Sequence, residues 1–391
     1  MTTPSSFADY SRCLIAFIER AGRTVPATEA FGALARSLFA LQFAAVPDFQ
    51  RLCVARGITP GSLADWRDIP AMPTTAFKEL ELSSLAPTER TTVFHSSGTT
   101  EHRPSRHFHN AESLAVYEAS LLPWFARHVL GRAGGFQPPS VASNCTSASG
   151  GRNAPGGDWK LPARLLCLAP PPQLSPHSSL VHMFACVSAG FGGSGSQFFA
   201  TVGASKDWQL DATAALGALR AAESAGEPVV LLGTAFMFVH LLDELERLGL
   251  ALALPPGSRV METGGYKGRS RELPKVELHA LLTSRLGVPP EFIVCEYGMS
   301  ELSSQAYSLI TNHCSLPFRF PPWCRALVVS PETGREVAEG KTGLLRLFDL
   351  ANVRSVMAIQ TEDLAVRRGD GFELLGRAAQ TEARGCSLLA A

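Results

Sequence analysis

The sequence predicts an α/β fold, a parallel sheet covered by helices, with a small β-rich lobe towards the C-terminus. Three observations carry this. Short apolar runs of buried-strand type recur at VVLLG (229–233), RVMETGG (259–265) and FIVCEYG (292–298). Helical patterns separate them, AFMFVHLLDELERLG (235–249) and VELHALLTSRLG (276–287), and such alternation marks parallel strands joined by crossover helices. Past residue 324 the strand patterns RALVVS, GLLRLFDL, LAVRR and FELLGR follow one another without helices. An α/β core over 1–323 and a β-rich lobe with a C-terminal arm over 324–391 are therefore expected.

Upstream, the first hundred residues read as helical. In the stretch 31–57 apolar residues recur every three or four positions (Leu34, Leu38, Leu41, Phe43), and Gly57 closes the pattern. Residues 131–160, loaded with Gly, Pro, Ser and Asn, have no periodicity and read as an irregular surface insertion. Residues 165–205 contain no Asp, Glu, Lys or Arg, a gap long enough to span a bilayer. Pro170, Pro171, Pro172, Pro176 and the glycines from Gly190 to Gly195 exclude one continuous helix there, so a buried strand–loop–strand region beside a ligand is expected.

Composition narrows the function. Of 391 residues, 46% are hydrophobic and 18% charged, which excludes a disordered or coiled-coil chain. Lys plus Arg (35) balance Asp plus Glu (35), so no general attraction to nucleic acid or an anionic membrane is expected. The N-terminus has no basic stretch followed by an apolar run, hence no secretory signal. The nine cysteines form no CxxC pair, which argues against a zinc site or a disulfide framework and for reduced thiols in the cytoplasm.

Four local patterns could carry chemistry. In FHSSGTTEHRPSRHFH, Ser96, Ser97, Thr99 and Thr100 place four hydroxyls around Gly98 directly after an expected strand. Small hydroxyl residues on a glycine turn let N–H and O–H groups converge on phosphate oxygens, and Arg103, Arg106, His102, His107 and His109 add positive or switchable charge. In METGGYKGR, Gly264 and Gly265 follow a strand at the sheet edge where α/β proteins bind ligands. In EYGMSEL, Tyr297 could stack on a base, Gly298 makes the turn, Ser300 could bind phosphate and Glu301 could ligate a hard cation such as Mg²⁺. In TEDLAV, Asp363 at the mouth of a strand could grip ribose hydroxyls. Each pattern also has a plainer reading: a polar turn, a tight strand-to-helix turn, a core tyrosine, a turn aspartate.

Their order along the chain resembles the adenylate-forming acyl/aryl ligase superfamily, and within it the LuxE-type acyl-protein synthetases. The closer likeness rests on AFKELEL, SSGTT followed by SRH, PHSSLVHM, ETGGYKGR and GRAAQTEARGCSL, which together run from about residue 75 to residue 388. The resemblance implies the fold of the large N-terminal domain of those enzymes, ATP and Mg²⁺ as cofactors, and a carboxylic-acid substrate. It assigns the triphosphate to Ser96–Thr100, adenine to Gly264, Gly265 and Tyr297, phosphate and Mg²⁺ to Ser300 and Glu301, ribose to Asp363, and a place near the ribose to Arg377. It makes Cys386, in RGCSL, the acyl acceptor, and points to an acyl-transferring or reductase protein as a partner.

Three departures qualify it. Glu101 stands where the family carries glycine, so a carboxylate faces the expected triphosphate site. Ser300 replaces a threonine. Only a short tail follows Asp363, so the mobile C-terminal domain of the wider superfamily, with its lysine, is expected to be absent; Lys267, Arg269 and Arg106 are the candidate cations. Transfer to a diffusible acceptor such as coenzyme A, or a binding protein that has lost the chemistry, remain open alternatives. The apolar stretches LVHMFACVSAGFGGSGSQFF and GTAFMFVH suggest a fatty or aromatic acid, although the same residues suit core packing.

Overall fold

The computed structural model describes residues 4–21, 28–96, 103–131, 164–192, 195–204, 207–266, 270–309 and 316–378. Three helices come first, α1 (Phe7–Ala21), α2 (Thr28–Ala45) and α3 (Pro47–Ala55). The periodic stretch 31–57 is thus two helices. Pro47 has no N–H to continue α2; it starts α3 instead, and the axis turns by 109°. Among the described residues no single helix is long and apolar enough to cross a membrane.

A two-residue strand, β1 (Met72–Pro73), and the short α4 (Ala76–Glu79) lead into a hairpin of β2 (Thr92–His95) and β3 (Arg106–His109). Helix α5 (Ala111–His128) follows, capped by Asn110, whose Oδ1 accepts the Ser113 N–H at 2.9 Å. The expected insertion falls almost wholly outside the described residues. The charge-free stretch differs from its strand–loop–strand expectation: between β4 (Arg164–Leu168) and the short β5 (Gln197–Phe198) and β6 (Ala200–Val202) lies a helix, α6 (Ser179–Phe191). Val181, Phe184 and Val187 of α6 are buried, whereas Ala189 and Gly190 are exposed. With small residues in place of Lys and Glu outside, its amphipathic contrast is too weak to read in the sequence.

Next come β7 (Trp208–Leu210), antiparallel to β6, and α7 (Ala212–Ala225), which the sequence reading did not single out. The expected alternation follows as β8 (Val229–Thr234), α8 (Ala235–Arg247), β9 (Arg259–Thr263), α9 (Lys275–Leu286) and β10 (Ile293–Tyr297). A further strand, β11 (Ala306–Leu309), returns antiparallel to β10. The six-stranded sheet runs β11–β10–β9–β8–β4–β5 and is parallel except for β11. Every residue of β8 is buried, as a strand covered on both faces requires.

The second sheet combines β12 (Cys324–Val329), β13 (Thr342–Asp349), β14 (Ala358–Arg368) and β15 (Gly371–Arg377), all antiparallel, with β1 added in parallel to β14. One edge of β14 is shared, its start pairing with β1 and its remainder with β15. Helices α1 and α2 bond to the same lobe. Tyr10 Oη donates to the Leu350 carbonyl at 3.3 Å, and Gln42 gives Nε2–H to the Asn352 carbonyl at 2.7 Å while its Oε1 accepts Met357 N–H at 3.0 Å.

Candidate active site

Because β8, β9 and β10 are parallel, their carboxyl ends share one sheet edge, where the loops that follow can converge. Gly264, after β9, has φ +69°, a conformation side chains rarely adopt, and among the described residues a Cβ at Gly264 or Gly265 would meet no atom within 4 Å. Gly298, after β10, is glycine for another reason: a Cβ there would lie 2.3 Å from Glu296 Oε1.

The next turn carries Ser300 and Glu301, both buried. Ser300 Oγ donates to Glu301 Oε2 at 3.1 Å and lies 3.3 Å from Ser105 Oγ, while the Ser300 carbonyl accepts from His107 Nδ1 at 2.9 Å. Ser105 N–H in turn donates to Ser96 Oγ at 2.9 Å. The β2–β3 hairpin thereby sets the root of the hydroxyl-rich loop against the Ser300–Glu301 turn. Ser97, Gly98, Thr99, Thr100, Glu101, Lys267, Arg269 and Cys386 lie outside the described residues. Arg106, one position from His107 along β3, faces Glu81 at 3.3 Å.

On the other side of β10, the Tyr297 ring is buried edge-on among Phe318, Phe320 and Phe372 at 5.4–6.1 Å. Its hydroxyl donates to Asp363 Oδ2 at 2.7 Å, and burial followed by that carboxylate pushes the phenol well above its ordinary pKa. Asp363 sits inside β14 rather than at its mouth, opposite Arg377 of β15, whose Nε is 3.8 Å from Oδ1. Arg377 is largely exposed, so this pair is weak and can exchange partners.

His107 and His109 do not supply the charge expected of them. Both are buried, and burial lowers His107 to about 4, against the bond to Ser300, and His109 well below its usual value. Both rings are neutral near pH 7. A histidine depressed on folding costs stability in acid, because below about 6.5 the unfolded chain binds the extra proton. His107 alone then removes roughly 2 kcal/mol between pH 7 and pH 4.5. Glu296, raised to about 7 by burial, works in the opposite direction: its contribution is present below the ordinary carboxylate range and is lost as pH rises through 7. Urea midpoints of His107→Asn and the parent at the two pH values isolate the histidine. The variant is expected to lose about 2 kcal/mol less on acidification, and equal losses would refute the assignment.

Two groups escaped the sequence reading. Asp349, at the end of β13, is fully buried; its Oδ2 accepts the N–H groups of Ser303 and Ser304 at 2.9 Å, and its Oδ1 accepts Ser304 Oγ at 2.7 Å and Ala351 N–H at 3.0 Å. Asn352 Nδ2 donates to the Glu301 carbonyl at 2.8 Å. These bonds hold the Ser300–Glu301 turn against the second sheet. Below the sheet edge, Glu262 is fully buried beside Lys275 Nζ (3.1 Å), His279 Nε2 (3.4 Å) and Cys295 Sγ (2.9 Å). Burial alone would raise its pKa, but these neighbours outweigh it and hold the carboxyl down at about 2. The readable signal was a glutamate inside an otherwise apolar strand, at both Glu262 and Glu296.

Comparison with known proteins adds three findings. The family described as "Acyl-protein synthetase, LuxE" matches at residues 191–391. No curated protein matches the chain. Among solved structures, the chain is similar to an open conformation of 2-hydroxyisobutyryl-CoA ligase in complex with 2-HIB-AMP and CoA, at 15% identity and TM-score 0.60, over 92% of this chain and 77% of that one. It is likewise similar to the postadenylation state of that ligase in complex with 2-HIB-AMP, at 14% identity and TM-score 0.61, over 92% of this chain and 70% of that one. At such identities the likeness establishes the fold.

Proposed function

Because this chain belongs to the acyl-protein synthetase (LuxE) family, we propose that it activates a carboxylic acid with ATP as an acyl-adenylate and passes the acyl group to the thiol of Cys386. The observation that carries the reading is the convergence at the end of β10. Within a few residues of one strand lie the root of the hydroxyl-rich loop, the Ser300–Glu301 pair and the Tyr297–Asp363 pair. The first two offer hydroxyl and carboxylate oxygens to a polyphosphate and its counter-ion, the third a carboxylate to a ribose.

In this reading a substrate carboxylate oxygen attacks the α-phosphorus of ATP, the bond to the β-phosphate oxygen breaks, and pyrophosphate leaves. The thiolate of Cys386 then attacks the acyl carbon, and AMP departs with the bond electrons. The chain's own work is to orient: Asp363 fixes the ribose, the 96–100 loop the phosphates, and Gly264–Gly265 leave room for the base. Glu301 and Ser300 form an all-oxygen donor set, buried and without a paired cation among the described residues, and this fits Mg²⁺. When bound, Mg²⁺ would neutralise phosphate charge. The acid is proposed to be apolar, fatty or aromatic.

ATP–pyrophosphate exchange over a panel of acids tests the activation step. Asp363→Ala is expected to lower acid-dependent exchange on the order of 100-fold, the effect of a reactant displaced by about 1 Å. Tyr297→Phe, which keeps the ring in its aromatic nest, is expected to cost less than about 10-fold. No exchange with any acid would sink the activation reading. Full exchange in a folded Asp363→Ala protein would sink the ribose assignment alone.

A further inference from the structure

Helices α5 and α6 hold a second cluster of ligating side chains that acid activation does not use. His182 and Cys186 are four positions apart on α6 and so lie on one helix face, and Glu118 of α5 faces them. Cys186 Sγ is 3.4 Å from His182 Nε2 and 3.8 Å from Glu118 Oε1, and the three ligand atoms all lie within 4.8 Å of one another. We propose that Glu118, His182 and Cys186 bind a zinc ion, with the fourth coordination position left to water or a small ligand.

The spacing fits the ion. Zinc bonds of about 2.0–2.3 Å at tetrahedral angles put neighbouring ligand atoms roughly 3.4–3.6 Å apart, close to the 3.4 and 3.8 Å that separate Cys186 Sγ from the other two ligands. The donor set also fits, since one carboxylate oxygen, one imidazole nitrogen and one thiolate are the ligand types zinc takes together. Charge points the same way. Burial, then the Glu118 carboxylate, pushes the Cys186 thiol up to about 12, and burial holds His182 neutral, the ligating form. Among the described residues no lysine or arginine enters the electrostatics of either group. A dication removes that mismatch: the Cys186 S–H bond breaks, its proton goes to solvent, and the sulfur electron pair forms the bond to zinc.

The comparable trio Glu262, His279 and Cys295 makes the contrast. There the ammonium of Lys275, 3.1 Å from the shared carboxylate oxygen, already supplies the positive charge. At the α5–α6 site all three ligands are only part-buried, so an ion has a route in. The His182 ring is steadied by Phe94 at 5.2 Å and Tyr117 at 5.4 Å. Zinc would therefore tie α5 to α6 directly behind β2, the strand that runs into the hydroxyl-rich loop.

The test is metal binding by the full chain, independent of catalysis. Chelator-stripped protein is titrated with Zn²⁺ against a chromophoric competitor, and separately with Co²⁺ as the spectroscopic probe. One equivalent of zinc is expected, with proton release and a thiolate-to-cobalt charge-transfer band. Cys186→Ala should abolish the band and weaken zinc by more than about 100-fold, beyond the 10–100-fold that loss of an outer-shell partner costs. Glu118→Gln, at a part-exposed carboxylate, gives the same comparison should the cysteine variant fail to fold. Absence of a tight equivalent, or a band and affinity unchanged in both variants, would overturn the proposal.

Discussion

Cys386→Ser is expected to lose the acyl adduct completely while keeping ATP–pyrophosphate exchange at the parental rate. Intact-mass measurement after incubation with ATP, Mg²⁺ and a competent acid should show one acyl mass on the parent, released by neutral hydroxylamine, and none on the variant. Activation precedes attack by the thiol, so the two readouts separate. Five cysteines among the described residues are poorly placed for the task. Burial pushes Cys53, Cys167 and Cys186 up to about 12 and raises Cys295 and Cys324 further from the thiolate form that attacks acyl groups. In the sequence Cys386 stands two positions after Arg384. Label persisting on the serine variant would point to another residue; exchange lost together with the label would tie Cys386 to activation itself. Exchange in a parent that never gains the mass would favour a diffusible acceptor.

Asp349→Ala should be strongly destabilising, lowering stability by about 3–5 kcal/mol. The carboxylate receives four bonds from Ser303, Ser304 and Ala351 in a fully buried setting, and alanine leaves those donors with neither protein nor water. Each orphaned donor costs about 1–3 kcal/mol, and partial relaxation keeps the sum below four separate penalties. Asp349→Asn keeps one carbonyl acceptor and should recover about half of the loss. A shift of the urea midpoint with unchanged slope measures the effect. A loss below about 1 kcal/mol would mean that the 299–304 turn is held by other means.

The fold was legible where local pattern and burial agree. The strands at 229–233, 259–265 and 292–298 and the helices between them are written in apolar runs of the right length, and the structure has them within a few residues. Three elements gave no such signal. Helix α6 lacks outward charges, β1 is two residues long and exists only because β14 presents an edge to it, and the break at Pro47 interrupts a pattern that is periodic on both sides. For the proposed site, motif order singled out Tyr297, Ser300, Glu301 and Asp363, but the residues they bond to lie far along the chain. Tyr297 and Asp363 are 66 positions apart, and Ser105 and Ser300 are 195 apart. The histidines were misread because RHFH shows the residue types without their burial. Alternation in a strand does place His107 and His109 on one face, but Phe108 on the other is buried too, so the pattern alone does not say which face turns inward.

The bonds from Tyr10 and Gln42 to residues 350–357, with the pairing of Met72 and Pro73 to Ile359 and Gln360, bear on how the protein is made. A ribosome delivers α1 and α2 long before the strands to which they bond, so α1 can pack on α5 early while the bonds of Tyr10 and Gln42 wait until residues 350–357 have emerged. Contacts of such sequence separation slow folding and lengthen the time in which a nascent chain can aggregate. Yield in a cell should therefore respond to translation speed and chaperone supply, and deletions from the final strands should strand the N-terminal helices as well as the lobe they belong to.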